Sequence, residues 1–194
     1  MIALILALSA ALILAADPSR AATVAGTVLV DGQPGSDTIV YQESADGAPP
    51  PAATHAVMDQ RNLTFQPKVL PVLRGTTVEF TNSDDIQHNV FSPSAAAGKF
   101  DLGAYGPGAA RSVKLDQPGE VVVLCNIHME MEARILVLSE PYFAQAAADG
   151  TYRIAAVPRG RYTARVWQDR LLPATRMIDV ADDGDVVLNL EVSR

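Results

Sequence analysis

The 194-residue sequence predicts an all-β protein made of two sandwiches, and three observations carry that expectation. Gly and Pro are frequent at 13 each while aromatics make up only 6% of the chain, a balance that suits short strands separated by turns. Short runs of alternating apolar and polar residues recur from Val24 onward, with no stretch after the first 22 residues that requires a helix. The apolar share of 48% is ample for packed cores in one or two domains.

The elements follow in order. Met1 to Ala16 is an uncharged apolar run, shorter than the roughly 20 apolar residues that a membrane-spanning helix needs. Small residues around Ala16 and Ala21 offer cleavage positions, so residues 1–22 are expected to be a secretory signal that delivers the chain to the periplasm. The alternative is an uncleaved N-terminal anchor. Val24–Val30 alternates as a strand, Asp31-Gly-Gln-Pro-Gly35 has turn chemistry, and Thr38-Ile-Val-Tyr41 opens a second strand. Pro49, Pro50 and Pro51 cannot donate ladder hydrogen bonds, so residues 49–55 are read as a connector. Strands resume at Ala56, with Val69, Val72, Val78 and Phe80 expected to point inward. Ala148-Asp-Gly-Thr-Tyr-Arg-Ile154, Val157-Pro-Arg-Gly-Arg-Tyr162 and Thr163-Ala-Arg-Val-Trp167 supply the turns and strands of a second sandwich.

The chemistry concentrates in Leu124-Cys-Asn-Ile-His-Met-Glu-Met131, which sets a thiolate, an imidazole and a thioether at three-residue intervals. A second imidazole, His88, sits in Asn82-Ser-Asp-Asp-Ile-Gln-His-Asn-Val-Phe91 at the expected end of another strand. Two imidazoles, one thiolate and a weak thioether make the donor set of a blue-copper electron-transfer site. Met131 is the better axial candidate by spacing, because Met129 directly follows His128 and would point away from the same metal.

On these residues, together with Phe65-Gln-Pro-Lys-Val-Leu-Pro-Val72, Gly75-Thr-Thr-Val-Glu-Phe-Thr-Asn82 and Pro118-Gly119, the stretch from Asp59 to Val137 resembles the cupredoxin family. The Cys-x-x-His-x-x-Met spacing most resembles the short ligand loop of amicyanin and its plastocyanin-like relatives. The resemblance implies a Greek-key sandwich holding one mononuclear copper that cycles between Cu(I) and Cu(II), bound by His88, Cys125, His128 and Met131. It also implies that Asn89 ties the two ligand-bearing segments together; its expected bonds run near the Cys125 sulfur or across to Asn82 or Ser83. Phe91, Ile127 and Met129 are candidates for the apolar lining, and the outer edge of His128 for the electron port.

The Asp-Gly-x-Tyr and Val-Pro-x-Gly-x-Tyr segments resemble the carboxypeptidase regulatory-like, or transthyretin-like, β-sandwich. The opening features of that fold sit at Gly26-Thr-Val28, Gly32-Gln-Pro34 and Val40-Tyr41. Residues 23–48 and 138–194 are therefore expected to form one discontinuous sandwich, with a cupredoxin domain of residues 56–137 inserted between its second and third strands. Tyr162 and Trp167 are expected to pack within that second sandwich. Chains with this layout resemble methylamine-utilisation proteins.

A formal charge of −7 argues against nucleic acid as a partner and favours a positively charged protein, such as a cytochrome c or a dehydrogenase. One cysteine cannot close an intramolecular disulfide, and an unpaired thiol in an oxidising compartment is best explained by burial or metal ligation. The leading expectation is a periplasmic electron carrier, not an enzyme. Copper sequestration or delivery through Met129 and Met131 is an alternative, as is a non-redox cell-envelope binding module. Asp84-Asp85 reads as a solvated turn and His55 as an exposed side chain.

Overall fold

A computed structural model describes residues 21–45, 47, 54–95, 98–172, 174–181 and 184–193. Most of the expected signal segment and of the Pro-rich connector lies outside the described residues. Those described are all-β, with no helix long and apolar enough to cross a membrane.

Strands β1 (Ala22–Val30), β2 (Gln33–Pro34) and β3 (Ile39–Ser44) come first. Nine more follow: β4 (His55–Arg61), β5 (Thr64–Gln66), β6 (Val69–Leu73), β7 (Thr76–Asn82), β8 (His88–Ser92), β9 (Phe100–Tyr105), β10 (Ala110–Leu115), β11 (Gly119–Leu124) and β12 (Glu132–Leu138). The chain ends with β13 (Phe143–Gln145), β14 (Thr151–Val157), β15 (Gly160–Trp167), β16 (Ala174–Val180), β17 (Val186–Val187) and β18 (Leu190–Val192).

Strands β4 to β12 form two sheets, ordered β10-β7-β4-β5 and β6-β12-β11-β8-β9. Their inner faces alternate as a two-residue side-chain period requires: Val78 and Phe80 from one sheet meet Val121, Val123, Ile135 and Val137 from the other in a closed core. This is the cupredoxin-like sandwich. Val72 joins that core, but Val69 does not. Residues three apart on a strand face opposite ways, so the inward expectation for both cannot hold, and Val69 packs on the outside of its sheet.

The remaining strands make an additional β-sandwich, and its pairing links the two ends of the chain. β1 pairs antiparallel with β14 and parallel with β17 and β18, while β3 lies between β13 and β15 in the facing sheet. Among the described residues, no ladder joins this group to β4–β12. Val24, Val28, Val40, Tyr152, Ile154, Tyr162 and Val166 fill its core. Gly26 allows the closest approach in this sandwich, since a Cβ there would run into the Leu188 carbonyl oxygen.

The two sandwiches meet along a seam. Leu136 and Leu138, on the outer face of β12, pack with Ile39, flanked by Tyr41, Val69, Leu73, Phe143 and Trp167. Trp167 thus belongs to the seam rather than to the core of the second sandwich; it is the last residue of β15, and its indole N–H donates to Glu120 Oε2 on β11 at 3.1 Å. Tyr162 does lie in that core, edge-to-face with Tyr142.

Candidate metal centre

Two segments meet at one end of the nine-stranded sandwich. Antiparallel pairing of β11 with β8 places Leu124 opposite Phe91, so the loop after β11 comes up beside His88 at the start of β8. The loop is closed by its own backbone: Cys125 N–H donates to Met131 O at 3.2 Å and Met131 N–H to His128 O at 3.0 Å. Asn89 Oδ1 accepts the Asn126 N–H at 2.7 Å, joining the two segments directly. That bond goes to the loop backbone rather than to Asn82 or Ser83.

One donor atom from each of His88, Cys125 and His128 lies within 4.8 Å of the others. The two Nδ1 atoms are 3.1 Å apart, and Cys125 Sγ is 4.0 Å from His128 Nδ1. His88 is 0% exposed and Cys125 is buried, whereas His128 is half-buried and reaches the surface. Met131 is 1% exposed and packs in the same core cluster as Cys125. Met129, at 87% exposure, points outward, as spacing suggested. It therefore does not line the pocket, and neither does Ile127 at 45% exposure. In so tight a loop, side chains between the inward positions are forced out.

Sequence reasoning missed Asp84. Expected on a solvated turn, it accepts the Asn62 and Leu63 amides at 2.6 and 3.0 Å and faces His88 Nε2 at 2.9 Å. Asn82 sets up this geometry: its Oδ1 accepts the Asp84 N–H at 3.0 Å in an Asx turn, and its Nδ2 donates to Ile86 O and Tyr105 O. Burial pushes the Asp84 carboxyl up, but hydrogen bonds from the Leu63 and Asn62 amides and from His88 outweigh it and hold the group below its usual range. An ionised carboxylate only accepts, so His88 Nε2 carries a hydrogen. Nδ1, the nitrogen available to a metal, faces His128 and Cys125. Orienting an imidazole through its far nitrogen is a common feature of histidine metal ligands.

Tyr105, opposite His88 in the β8–β9 ladder, backs the site. Its hydroxyl accepts from Gln60 Nε2 at 2.6 Å and donates to Phe80 O, and burial pushes its pKa up to about 12 against the Gln60 bond that lowers it. His55 is exposed at the start of β4, 3.9 Å from Glu79 and remote from this cluster.

Two nitrogens 3.1 Å apart either share a proton or share a metal ion. With a thiol and a thioether as companions, the donor set suits a borderline-to-soft ion such as copper. Residues 52–138 match copper binding proteins, plastocyanin/azurin family. That segment carries all four candidate ligands. No curated protein matches the chain.

Solved structures similar to the chain include the Cu-containing nitrite reductase from Thermus scotoductus SA-01, at 28% identity and a TM-score of 0.41 over 47% of this chain. The match spans only 24% of the reductase's own length. A purple cupredoxin from Nitrosopumilus maritimus matches at 20% identity and TM-score 0.39, over 43% of this chain and 99% of its own. The Cu(I) form of an amicyanin variant matches at 20% identity and TM-score 0.42, over 50% and 99% respectively.

Proposed function

We propose that the protein is a periplasmic electron carrier with one copper held by His88, Cys125, His128 and Met131. The observation that carries this reading is the convergence of a buried thiol and two imidazoles within 4.8 Å, with the inner imidazole's tautomer set by Asp84. When bound, copper would supply a one-electron couple. The chain's own residues do the rest: Asp84 and Asn89 fix the ligand-bearing segments before the metal arrives, so changing its charge requires little rearrangement. The buried Cys125, His88 and Met131 keep water away from the inner side, while half-buried His128 gives a partner access to one imidazole edge. A redox protein such as a cytochrome c or a dehydrogenase would be that partner. No substrate is transformed in this role.

We further propose that residues 23–48 and 138–194 fold as one unit into which the cupredoxin domain is inserted. The pairing of β1 with β14, β17 and β18 supports this division.

The test is the optical and EPR spectrum of the copper-loaded chain. Intense visible absorption with narrow copper hyperfine splitting is expected, and Cys125→Ser should abolish the band. A band that survives this substitution refutes the ligand assignment. A second reading, copper delivery, draws on the exposed thioether of Met129. A delivery protein would surrender Cu(I) readily to a competing chelator and would lose that transfer in Met129→Leu, whereas a carrier would cycle reversibly with either residue.

A further inference from the structure

We propose that the second sandwich is a positioning element for the ligand loop, and that it acts through Arg134. The seam covers a strand with an unusual burial pattern. From Ala133 to Leu138 every residue of β12 is buried, on both faces. Strands of a two-sheet antiparallel sandwich ordinarily bury one face and solvate the other. Here Ala133, Ile135 and Val137 fill the cupredoxin core, while Leu136 and Leu138 are covered from outside by β3, β13 and β15 and Arg134, also buried, meets Asp169.

Arg134 is the polar centre of that cover. Its Nε lies 3.0 Å from Glu120 Oε1 on β11 and 3.2 Å from Asp169 Oδ1, just past β15. A terminal nitrogen lies 2.5 Å from Glu132 Oε1. Glu120 also receives the Trp167 indole N–H, so one of its carboxylate oxygens faces Arg134 within its own sheet and the other is held from across the seam. Three carboxylates converge on this one guanidinium, and Asp169 is the one that reaches it from the second sandwich, so its removal withdraws the cross-seam contact and leaves the two on β11 and β12.

The position of Arg134 gives that contact a consequence. Glu132 pairs with Leu124 as the last rung of the β11–β12 ladder. One step beyond that rung, Cys125 N–H meets Met131 O, and the ligand loop begins. Arg134 therefore holds both legs of the loop, through Glu120 on one and Glu132 on the other, and Asp169 ties that hold to the second sandwich. The consequence for a bound metal rests on the function proposed above; the restraint on the loop does not.

Amide hydrogen exchange on the metal-free full chain tests the restraint directly. In Asp169→Asn, the Cys125 and Met131 amides should exchange about fivefold faster, the scale of one partly exposed ion-pair contact. The amides of β7, in the remote sheet, should keep their rates, and Asp169→Glu should restore the loop. Trp167→Phe, which removes the indole donor to Glu120, should reproduce the loop effect independently. Unchanged loop rates in both variants overturn the proposal, as does a rise shared equally with β7, which would mean general destabilisation. A wild-type chain that forms no blue copper centre would refute the proposed function instead, and the exchange rates would still decide the loop restraint.

Discussion

Replacing Asp84 by Asn keeps the size of the side chain and removes half of its accepting capacity. The native carboxylate serves three donors: Oδ1 takes the Asn62 amide, and Oδ2 takes both the Leu63 amide and His88 Nε2. An amide has one oxygen. If that oxygen occupies the Oδ2 position, the new NH2 confronts the Asn62 N–H; if it occupies the Oδ1 position, the NH2 confronts Leu63 and His88. Either way a donor loses its acceptor, at about 1–3 kcal/mol. The cost falls where the backbone depends on support, because Asn62 and Leu63 have φ of 54° and 58°, in the left-handed region. Copper affinity should fall about 10–100-fold, or about 1.4–2.7 kcal/mol, as His88 loses its anchor. Competition against a chelator measures that loss, and urea unfolding of the metal-free protein measures the structural part.

The pH dependence has a definite sign. The folded-state pKa of Asp84 lies below its unfolded value, so its contribution is present above about pH 4 and is lost as pH falls through the folded value. The stability gap between wild type and variant should therefore close in acid. A copper affinity within about twofold of wild type would refute the reasoning, which expects at least a tenfold loss.

Glu140 should behave oppositely. It is buried with Oε2 unpartnered, and burial raises its pKa, against the bond from the Ser44 amide and with help from Glu43. A carboxyl raised in the folded state loses stability as pH rises above about 4, so Glu140→Gln should be more stable than wild type at pH 7 and lose that advantage in acid; thermal melts across pH would show it. Leu136→Ala removes a seam side chain and should cost about 2–4 kcal/mol in urea unfolding. Gly26→Ala forces a Cβ into the Leu188 carbonyl and should cost about 1–3 kcal/mol by the same assay, with faster amide exchange at Leu188. Saturating copper should raise the unfolding free energy of wild type by about 4 kcal/mol at a thousandfold excess over Kd, and removal by chelator should reverse the gain.

Much of the site was legible because it is local. Cys125, His128 and Met131 lie within seven positions on one loop, and the spacing separated Met131 from Met129 before any fold was known. Alternation identified Val78 and Phe80 as inward, since a side-chain period of two needs no tertiary information. It misled at Val69 and Val72, where facing was assumed for residues an odd number apart. Asp84 was hidden although it lies only four residues from His88, because the direction of its carboxylate depends on the Asn82 turn and on amides more than twenty residues upstream.

The chain alone thus determined strand character, turn positions and which residues are candidate metal donors, all consequences of residue type and short-range spacing. The fold alone decided which carboxylate orients His88, which way Trp167 and Val69 face, and that Arg134 sits under the ligand loop. Those choices depend on strand register, on the Asn82 turn and on the packing of one sandwich against another, where residues as far apart as Arg134 and Asp169 become neighbours and a one-residue shift of a strand would turn its side chains to the opposite face.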